Sequence, residues 1–469
     1  MKAITAANWL RLLARCAVVV ATGSIFSARA QLPIYVQVSS GDGHSCAVRT
    51  AGSVHCWGQG GAYGLLGNDA THNSPVPVSV RGISTAAEVR IGLFHACARL
   101  YDGSVRCWGR GTGGALGQGS FTNSHVPVSM TGYGPGTPAK QIAVGAEHTC
   151  VLSQSGQVAC TGGNSWGQSG RQGNNDVNEV VAVPLPAADE IVAGEYHTCA
   201  RTGGTVWCWG QNTSGQLGNS STSNNYNPVQ AYAITSAIAI AAGRSHSCAL
   251  LAAGGVLINS TVSCWGDNGT GQLGYGVSGG INPTPTNVVS LGSASATPSG
   301  IAAGNQHSCA RLTDATVQCW GNNLNGALGD GTTLGSSVPV YVADLPQAVS
   351  GINAATAGMS AGNNTSCVIM TNGSLRCWGS NEFGEGGHGQ GYNYLTTPQY
   401  VAAPGCALDF DGDGEAKFAT DGLLLTRALS LRSGAGVTQG ALGAGATRTT
   451  WNAVLGQLSG PCGLTMLVP

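Results

Sequence analysis

One pattern occurs seven times along this chain and constrains its fold more than any other feature. Its first half is a G-x-x-H turn running into a cysteine: GDGHSC (41–46), GLFHAC (92–97), GAEHTC (145–150), GEYHTC (194–199), GRSHSC (243–248), GNQHSC (304–309) and, with Thr365 in the histidine's place, GNNTSC (362–367). Its second half is C-W-G at Cys56, Cys107, Cys208, Cys264, Cys319 and Cys377, and Cys160-Thr161-Gly162 in the remaining copy. A looser third element follows, as GALG at 114–117, GQLG at 215–218 and 271–274, and GALG at 326–329. The spacing from copy to copy runs from 49 to 61 residues. A period of that length marks one supersecondary unit repeated until its neighbours bury its apolar faces.

Each unit holds short alternating runs broken by glycine, and none holds an amphipathic helical stretch. Gly supplies 74 of 469 residues, and hydrophobic residues are 42% of the chain, so the glycines read as turns between strands rather than as disorder. PVPVSV (75–80), HVPVSM (125–130) and VPVYVA (338–343) read as outer strands, where proline is tolerated because an edge can forgo a ladder donor. Seven units of several short strands predict an all-β chain folded as a seven-bladed β-propeller. A formal charge of -1 leaves no basic surface for nucleic acid.

The first thirty residues read as an export signal. Lys2, Arg11 and Arg15 precede the apolar run CAVVVATGSIF (16–26), which ends at Ala28-Arg29-Ala30, so residues 1–30 are expected to be removed. The run is too short to span a bilayer, and no later segment is a transmembrane candidate. Arg15 stands where a lipoprotein signal wants a small residue before Cys16. The expected location is therefore secreted or in the cell envelope, periplasm or surface. Removing Cys16 turns 17 cysteines into 16, an even number in an oxidising compartment.

Hairpin geometry says how those cysteines pair. Directly opposed residues of a hairpin have a constant sum of positions. Around the Gly203-Gly204 turn this sets Thr202 against Thr205, Arg201 against Val206, Ala200 against Trp207 and Cys199 against Cys208. Most other pairs are ten apart around a three-residue loop such as Tyr101-Asp102-Gly103. Opposed residues of a non-hydrogen-bonded pair are close enough for a disulfide. The expected bridges are Cys46–Cys56, Cys97–Cys107, Cys150–Cys160, Cys199–Cys208, Cys248–Cys264 across a longer loop, Cys309–Cys319 and Cys367–Cys377. A zinc site is disfavoured because each unit offers only three soft ligands and no C-x2-4-C pair, and no C-x-x-C redox motif occurs. The repeated histidines read as structural, each tying neighbouring backbone groups through its two ring nitrogens.

These elements, G-x-x-H-[ST]-C-A then V-x-C-W-G then G-x-L-G, resemble the repeats of the regulator of chromosome condensation family over residues 34 to 402. The resemblance implies a seven-bladed propeller over 31–403. The family's eukaryotic founder is a nuclear exchange factor for a small GTPase. An export signal and paired cysteines make this chain look closer to exported bacterial members, among them a secreted β-lactamase-inhibitory propeller that grips its target with loops on one face. Two further motifs are glycine-rich coincidences. Gly163 to Gly167 matches G-x-S-x-G, and Gly109, Gly111 and Gly114 match G-x-G-x-x-G, each without the helix its chemistry needs.

Residues 404–469 form a separate module in this reading. Asp409, Asp411 and Asp413 precede Gly414, the alternate carboxylates and glycine turn with which an EF-hand loop collects oxygen ligands for Ca²⁺. The segment looks like the calcium loop and helix of dockerin-type modules. That resemblance carries one Ca²⁺ site over to Asp409, Asp411, Asp413, the carbonyl of Glu415, and Asp421, which falls one residue late. Lys417 departs from the pattern. Cys406 and Cys462 bracket the module as an eighth pair.

The expected function is a non-enzymatic binding scaffold whose propeller face contacts an extracellular or envelope protein. Its contact residues would be the variable positions of the G-x-x-H turns: Asp42, Phe94, Glu147, Glu195, Tyr196, Arg244 and Gln306. A second reading is a carbohydrate-binding or carbohydrate-active protein, with Trp166, Tyr226, Tyr275, Tyr392 and Tyr394 stacking on a glycan. A third is a structural component of a surface assembly, docked through the C-terminal module. No paired-carboxylate motif with interpretable spacing marks an enzyme.

Overall fold

The computed structural model describes residues 35–345, 359–362, 364–389 and 394–402. The export signal, the C-terminal module with its calcium ligands and its Cys406–Cys462 pair, and Tyr392 lie outside the described residues.

The described chain builds seven four-stranded antiparallel sheets, each from consecutive strands: blades 1 to 7 span 35–79, 86–129, 139–182, 190–230, 237–287, 298–341 and 359–400. In blade 4 the strands are Glu190–Ala193, His197–Thr202, Thr205–Gly210 and Asn225–Gln230. We call the four strands of a blade inner, second, third and outer, in chain order. Inner strands of neighbouring blades approach one another all the way round, blade 7 against blade 1 included, and so line a central channel. Every blade is contiguous in sequence, so the ring closes by packing, without an exchanged strand.

Local sequence explains each blade. Gly203 and Gly204, at φ +55° and +89°, make the two-residue turn of blade 4, and the ladder runs from Thr202 opposite Thr205 to Cys199 opposite Cys208 and His197 opposite Gly210. All seven expected bridges join second to third strands, with Cα separations from 4.0 Å (Cys46–Cys56) to 4.1 Å (Cys248–Cys264). In blade 5 the longer hairpin keeps the ladder from His246 opposite Gly266 to Leu251 opposite Thr261, so its extra residues only extend the turn. The outer strands are Ser74–Ser79, Ser124–Ser129 and Ser336–Tyr341, one or two residues earlier than the sequence suggests. The shift arises because Ser74, Ser124 and Ser336 already pair with the C-W-G glycines.

The three sequence elements turn out to form one lock between blades. The final glycine of the G-x-L-G elements at 215–218, 271–274 and 326–329, and Gly387 at the same place in blade 7, seats the tryptophan of the next blade. An added Cβ would come within 2.7 Å of Trp265 Nε1 at Gly218, 2.6 Å of Trp320 at Gly274, 2.6 Å of Trp378 at Gly329 and 2.6 Å of Trp57 at Gly387. The indole N–H donates to a carbonyl of the same loop: Trp108 to Leu65 (2.9 Å), Trp209 to Gln168 (3.0 Å), Trp265 to Gln216 (2.9 Å), Trp320 to Gln272 (2.9 Å), Trp378 to Ala327 (2.9 Å) and Trp57 to Glu385 (2.8 Å). These six tryptophans are fully buried, so each adds a large apolar area while its one polar group stays satisfied. Blade 3 carries Thr161 instead. There Met130 and Thr161 stand over Gly117 at 2.9 and 3.1 Å from where its Cβ would lie, and the single hydroxyl hydrogen of Thr161 is shared between the carbonyls of Gly114 (3.0 Å) and Val177 (2.8 Å).

Candidate functional site

The chain passes from inner to second strand through the G-x-x-H turns, and these turns gather around one mouth of the channel. The mouth is a cavity of about 290 Å³ whose lining includes Gly41, Gly92, Gly145, Gly194, Gly243, Gly304 and Gly362, one from each blade. Close approach is why they are glycines. A Cβ on Gly92 would meet the Gly145 carbonyl oxygen at 1.9 Å, and one on Gly362 would meet that of Gly41 at 2.4 Å, so the ring of glycines is continuous through blade 7 to blade 1.

The histidines stand behind this ring, and their role differs from the expected tie to nearby backbone. Five of the six reach forward to the hydroxyl that follows the histidine, or in blade 7 Thr365, of the next blade. His95 Nε2 meets Thr149 Oγ1 at 2.8 Å, His148 meets Thr198 at 2.8 Å, His197 meets Ser247 at 2.9 Å, His246 meets Ser308 at 2.8 Å and His307 meets Ser366 at 2.8 Å. Each hydroxyl in turn donates to the loop carbonyl of the histidine's own blade, as Thr198 to Gln168 (3.0 Å) and Ser247 to Gln216 (2.9 Å). A hydroxyl has a single hydrogen, so it must accept from the ring, which fixes the neutral tautomer with hydrogen on Nε2. Only this nitrogen is engaged; Nδ1 has no partner in these five rings. Burial holds all five far below the usual histidine range, to about 3 for His95, His148, His197 and His246 and about 4 for His307. They are neutral ties between blades.

The expected contact residues divide into two sets. Asp42, Glu195 and Arg244 occupy the first variable position of their turns and line the mouth itself. Glu195 forms an ion pair with Arg244 across neighbouring blades at 2.5 Å. Burial raises the Glu195 carboxyl, the nearby Asp42 and Glu147 add to the rise, and Arg244 opposes it. Phe94, Glu147, Tyr196 and Gln306 occupy the second position and do not line the mouth. Phe94 and Tyr196 are half-buried rather than exposed anchors.

Phe94 and Glu147 belong to a cluster that spans three blades. Arg110, on the loop leaving the third strand of blade 2, lies 5.1 Å from the Phe94 ring centre and 5.8 Å from that of Tyr63 in blade 1. Its Nη1 donates to Glu147 of blade 3 at 2.8 Å and its Nε to Thr112 at 2.8 Å. Tyr63 and Phe94 meet edge to face with ring centres 6.3 Å apart. Sequence reasoning missed Arg110 and Tyr63 because the repeat elements exclude both positions. Tyr196 lies within the field of Glu195 and Glu147, and its hydroxyl is raised by burial first and by those carboxylates next. Gln306 Oε1 accepts from Asn322 at 2.9 Å.

The aromatics expected to stack on a glycan come from loops and strands of different blades among the described residues, with Gly167, next to Trp166, against Tyr226. Trp166 and Tyr394 are exposed, in blades 3 and 7, while Tyr226 donates to Asn174 and Tyr275 accepts from Asn268 at 3.0 Å. The Gly163 to Gly167 stretch lies in the loop after the third strand of blade 3, with Ser165 exposed.

Profiles of the regulator of chromosome condensation (RCC1) repeat match residues 35–64, 87–115, 139–168, 189–216, 237–272, 299–327 and 357–385, one segment per blade, and a second profile of the same repeat matches 102–152, 203–250 and 261–311. The chain belongs to the RCC1 repeat family. Among curated RCC1 relatives, the ultraviolet-B receptor UVR8 of Arabidopsis thaliana is 32% identical over 144 residues, covering 30% of this chain and 32% of that protein. The human E3 ubiquitin-protein ligase HERC2 is 30% identical over 157 residues, 33% of this chain and 3% of its own length. The matched region thus spans about a third or less of these relatives. Among solved structures, Prp20p of Saccharomyces cerevisiae superposes with a TM-score of 0.63 at 20% identity over 81% of this chain and 89% of that one. Yeast RCC1 (Prp20) bound to Kap60 gives 0.62 at 19% identity, with the same coverage. Human WBSCR16 gives 0.61 at 18% identity over 71% of this chain and 85% of that one. At such identities the RCC1 likeness concerns the fold alone.

Proposed function

We propose that this chain is an exported, non-enzymatic protein-binding scaffold whose contact surface is the channel-mouth face. The observation that carries the reading is the Tyr63–Phe94–Arg110–Glu147 cluster. It is a rigid aromatic and arginine patch contributed by three blades, beside Tyr196 and the charged mouth. Aromatic and arginine side chains held in place by their neighbours are the residue types that concentrate interface energy. Seven bridges support export, since such bridges persist in oxidising compartments. The structures of Prp20p concern its binding to Gsp1p and histones and its complex with Kap60, which supports a binding role for the fold without naming a partner here.

The test is capture from extracellular and envelope fractions by the intact chain, beside Phe94→Ala and Tyr196→Ala. A protein captured by the intact chain and lost by at least tenfold with either variant supports the reading. Capture of glycans alone would favour the carbohydrate alternative and set it aside. The acidic run from Asp409 to Asp421 is proposed separately as one Ca²⁺ site. Calorimetry on the full chain against Asp411→Ala plus Asp413→Ala tests that proposal, and equal calcium heats would refute it.

A further inference from the structure

One position of the inner strand ties several blades to the next. It lies opposite the residue two beyond the second-strand cysteine: Gln37 opposite Val48, Glu88 opposite Arg99, Gln141 opposite Leu152 and Glu190 opposite Arg201. Gln37 donates through Nε2 to the Val89 carbonyl (2.8 Å) and accepts through Oε1 from the Val89 N–H (3.0 Å). Gln141 clasps Ile191 of blade 4 in the same two ways, at 3.0 Å each. A carboxamide fits this place because it offers one donor and one acceptor to a backbone unit that offers the converse. Blades 5 and 6 put Ala239 and Gly300 there, too short to reach across.

Blades 2 and 4 place a carboxyl in the clasp, and an ionised carboxyl has no hydrogen to give to the facing carbonyl. Their surroundings differ. Glu88 accepts from the Ile142 N–H at 3.3 Å and is held by two arginines, Arg90 at 2.9 Å and Arg99 at 3.3 Å. Among the described residues Glu190 pairs with one, Arg201 at 3.3 Å, and shares it with Asp189 at 3.2 Å. Two carboxyls on one guanidinium leave one negative charge in excess, on a Glu190 side chain only 14% exposed. The strands packed against its own carry Lys140, which is exposed, the buried neutral His148 and His197, and Arg201; the inner strand of blade 5 carries no ionisable group. We propose that Glu190 is a proton-operated clasp between blades 4 and 5. With its proton it donates to the Ile240 carbonyl and accepts from the Ile240 N–H, as Gln141 does with Ile191. Without it the first bond is lost and a carboxylate faces a carbonyl. Burial raises the Glu190 carboxyl to about 7, against the pull of Arg201, Arg90 and the Ile240 N–H, so the change falls at neutral pH. The clasp is whole below pH 4.5 and is lost as pH rises through about 7. Glu195 and Arg244 bridge the same two blades at the mouth, so the clasp sets how firmly that part of the face is held.

The test is amide hydrogen exchange on the oxidised full chain, read by mass spectrometry over the inner strands of blades 2, 4 and 5. The first two are held by Gln37 and Gln141, which do not titrate, and serve as internal references. From about pH 6 to about pH 8.5 the protection factor of blade 5's inner strand should fall about tenfold relative to theirs. Referring it to those strands cancels any pH effect on the ring as a whole. Glu190→Gln should keep the low-pH protection throughout, because its amide supplies the donor at every pH. Glu195→Gln, which removes the other raised carboxyl of this seam, should leave the fall in place. Intact bridges certify both variants. A relative protection that is level across the range in the unaltered chain would overturn the inference with no variant needed. So would a fall that Glu190→Gln retains, or one that Glu195→Gln abolishes.

Discussion

His44 shows what the other histidines do by failing to do it. The residue that follows the histidine of blade 2 is Ala96, with no hydroxyl to offer, and both ring nitrogens of the buried His44 lack a partner. In the next interface His95 reaches Thr149 at 2.8 Å. The substitution Ala96→Ser supplies the missing group beside Leu65, whose carbonyl already holds Trp108. It should stabilise the chain by about 1 kcal/mol, the net worth of a typical buried hydrogen bond. Thermal denaturation checks this, and an unchanged or lower Tm would mean that His44 is satisfied otherwise. The converse change, Thr198→Ala, strands the His148 ring and removes the second donor to the Gln168 carbonyl, and should cost about 1–3 kcal/mol. That loss should shrink when Thr198→Ala is made in a His148→Phe background, because the orphaned ring is then gone and only the hydroxyl's bond to Gln168 is lost. Equal losses in both backgrounds would show that the hydroxyl acts through the loop carbonyl alone.

Within a blade nearly everything was legible, and between blades little was. Pairing sums around Gly203-Gly204 give the blade 4 ladder residue by residue, because a two-residue turn leaves no freedom of register. The bridges follow from the same arithmetic. The tie from His95 to Thr149 joins positions 54 apart, and nothing in a single copy says that its partner lies in the next. A signal was present all the same, in the serine or threonine that follows the histidine or its replacement in six of the seven copies. Arg110 left no trace in the repeat, since its partners Phe94 and Glu147 come from different units. Each bridge closes a short loop, and in the chain-entropy account removing one costs about 2.5–3 kcal/mol. Cys199→Ser plus Cys208→Ser should therefore lower the denaturant midpoint without changing its slope. A change of slope would mean that blade 4 unfolds separately from the rest. Gly218→Ala should cost more than losing that bridge, since its Cβ would meet Trp265 at 2.7 Å on a backbone at φ +70°.

At the scale of the ring, closure without an exchanged strand makes every interface equally necessary. Blade 7 is tied to blade 1 by Trp57 to Glu385 (2.8 Å) and Tyr35 to Gly373 (2.9 Å), and there Thr365 replaces the histidine. The other six interfaces each bury one imidazole, and this makes the ring acid-sensitive as a whole. Burial lowers all six rings in the folded state, His44 to about 4 and His148 to about 3, against 6.5 when unfolded. The unfolded chain therefore takes up protons below pH 6.5 that the folded chain refuses. Stability is at its full value above pH 6.5 and is lost as pH falls toward 4, by up to about 1.4 kcal/mol per pH unit for each ring. Glu190 works the other way: burial, only partly offset by Arg201, raises it from 4.5 to about 7, so it adds stability as pH falls through that window. Burial raises Glu195 and Glu385 as well, and lowers His55 and His388 beside the six interface rings, so the histidines outnumber the raised carboxyls and leave a net loss that precedes the ordinary carboxylates. Denaturant midpoints measured from pH 7.5 to 5 should fall continuously, and His148→Gln should flatten the slope by about one proton. A midpoint that stays level down to pH 5 would show that the rings can be protonated in place, at the Nδ1 atoms that face no partner.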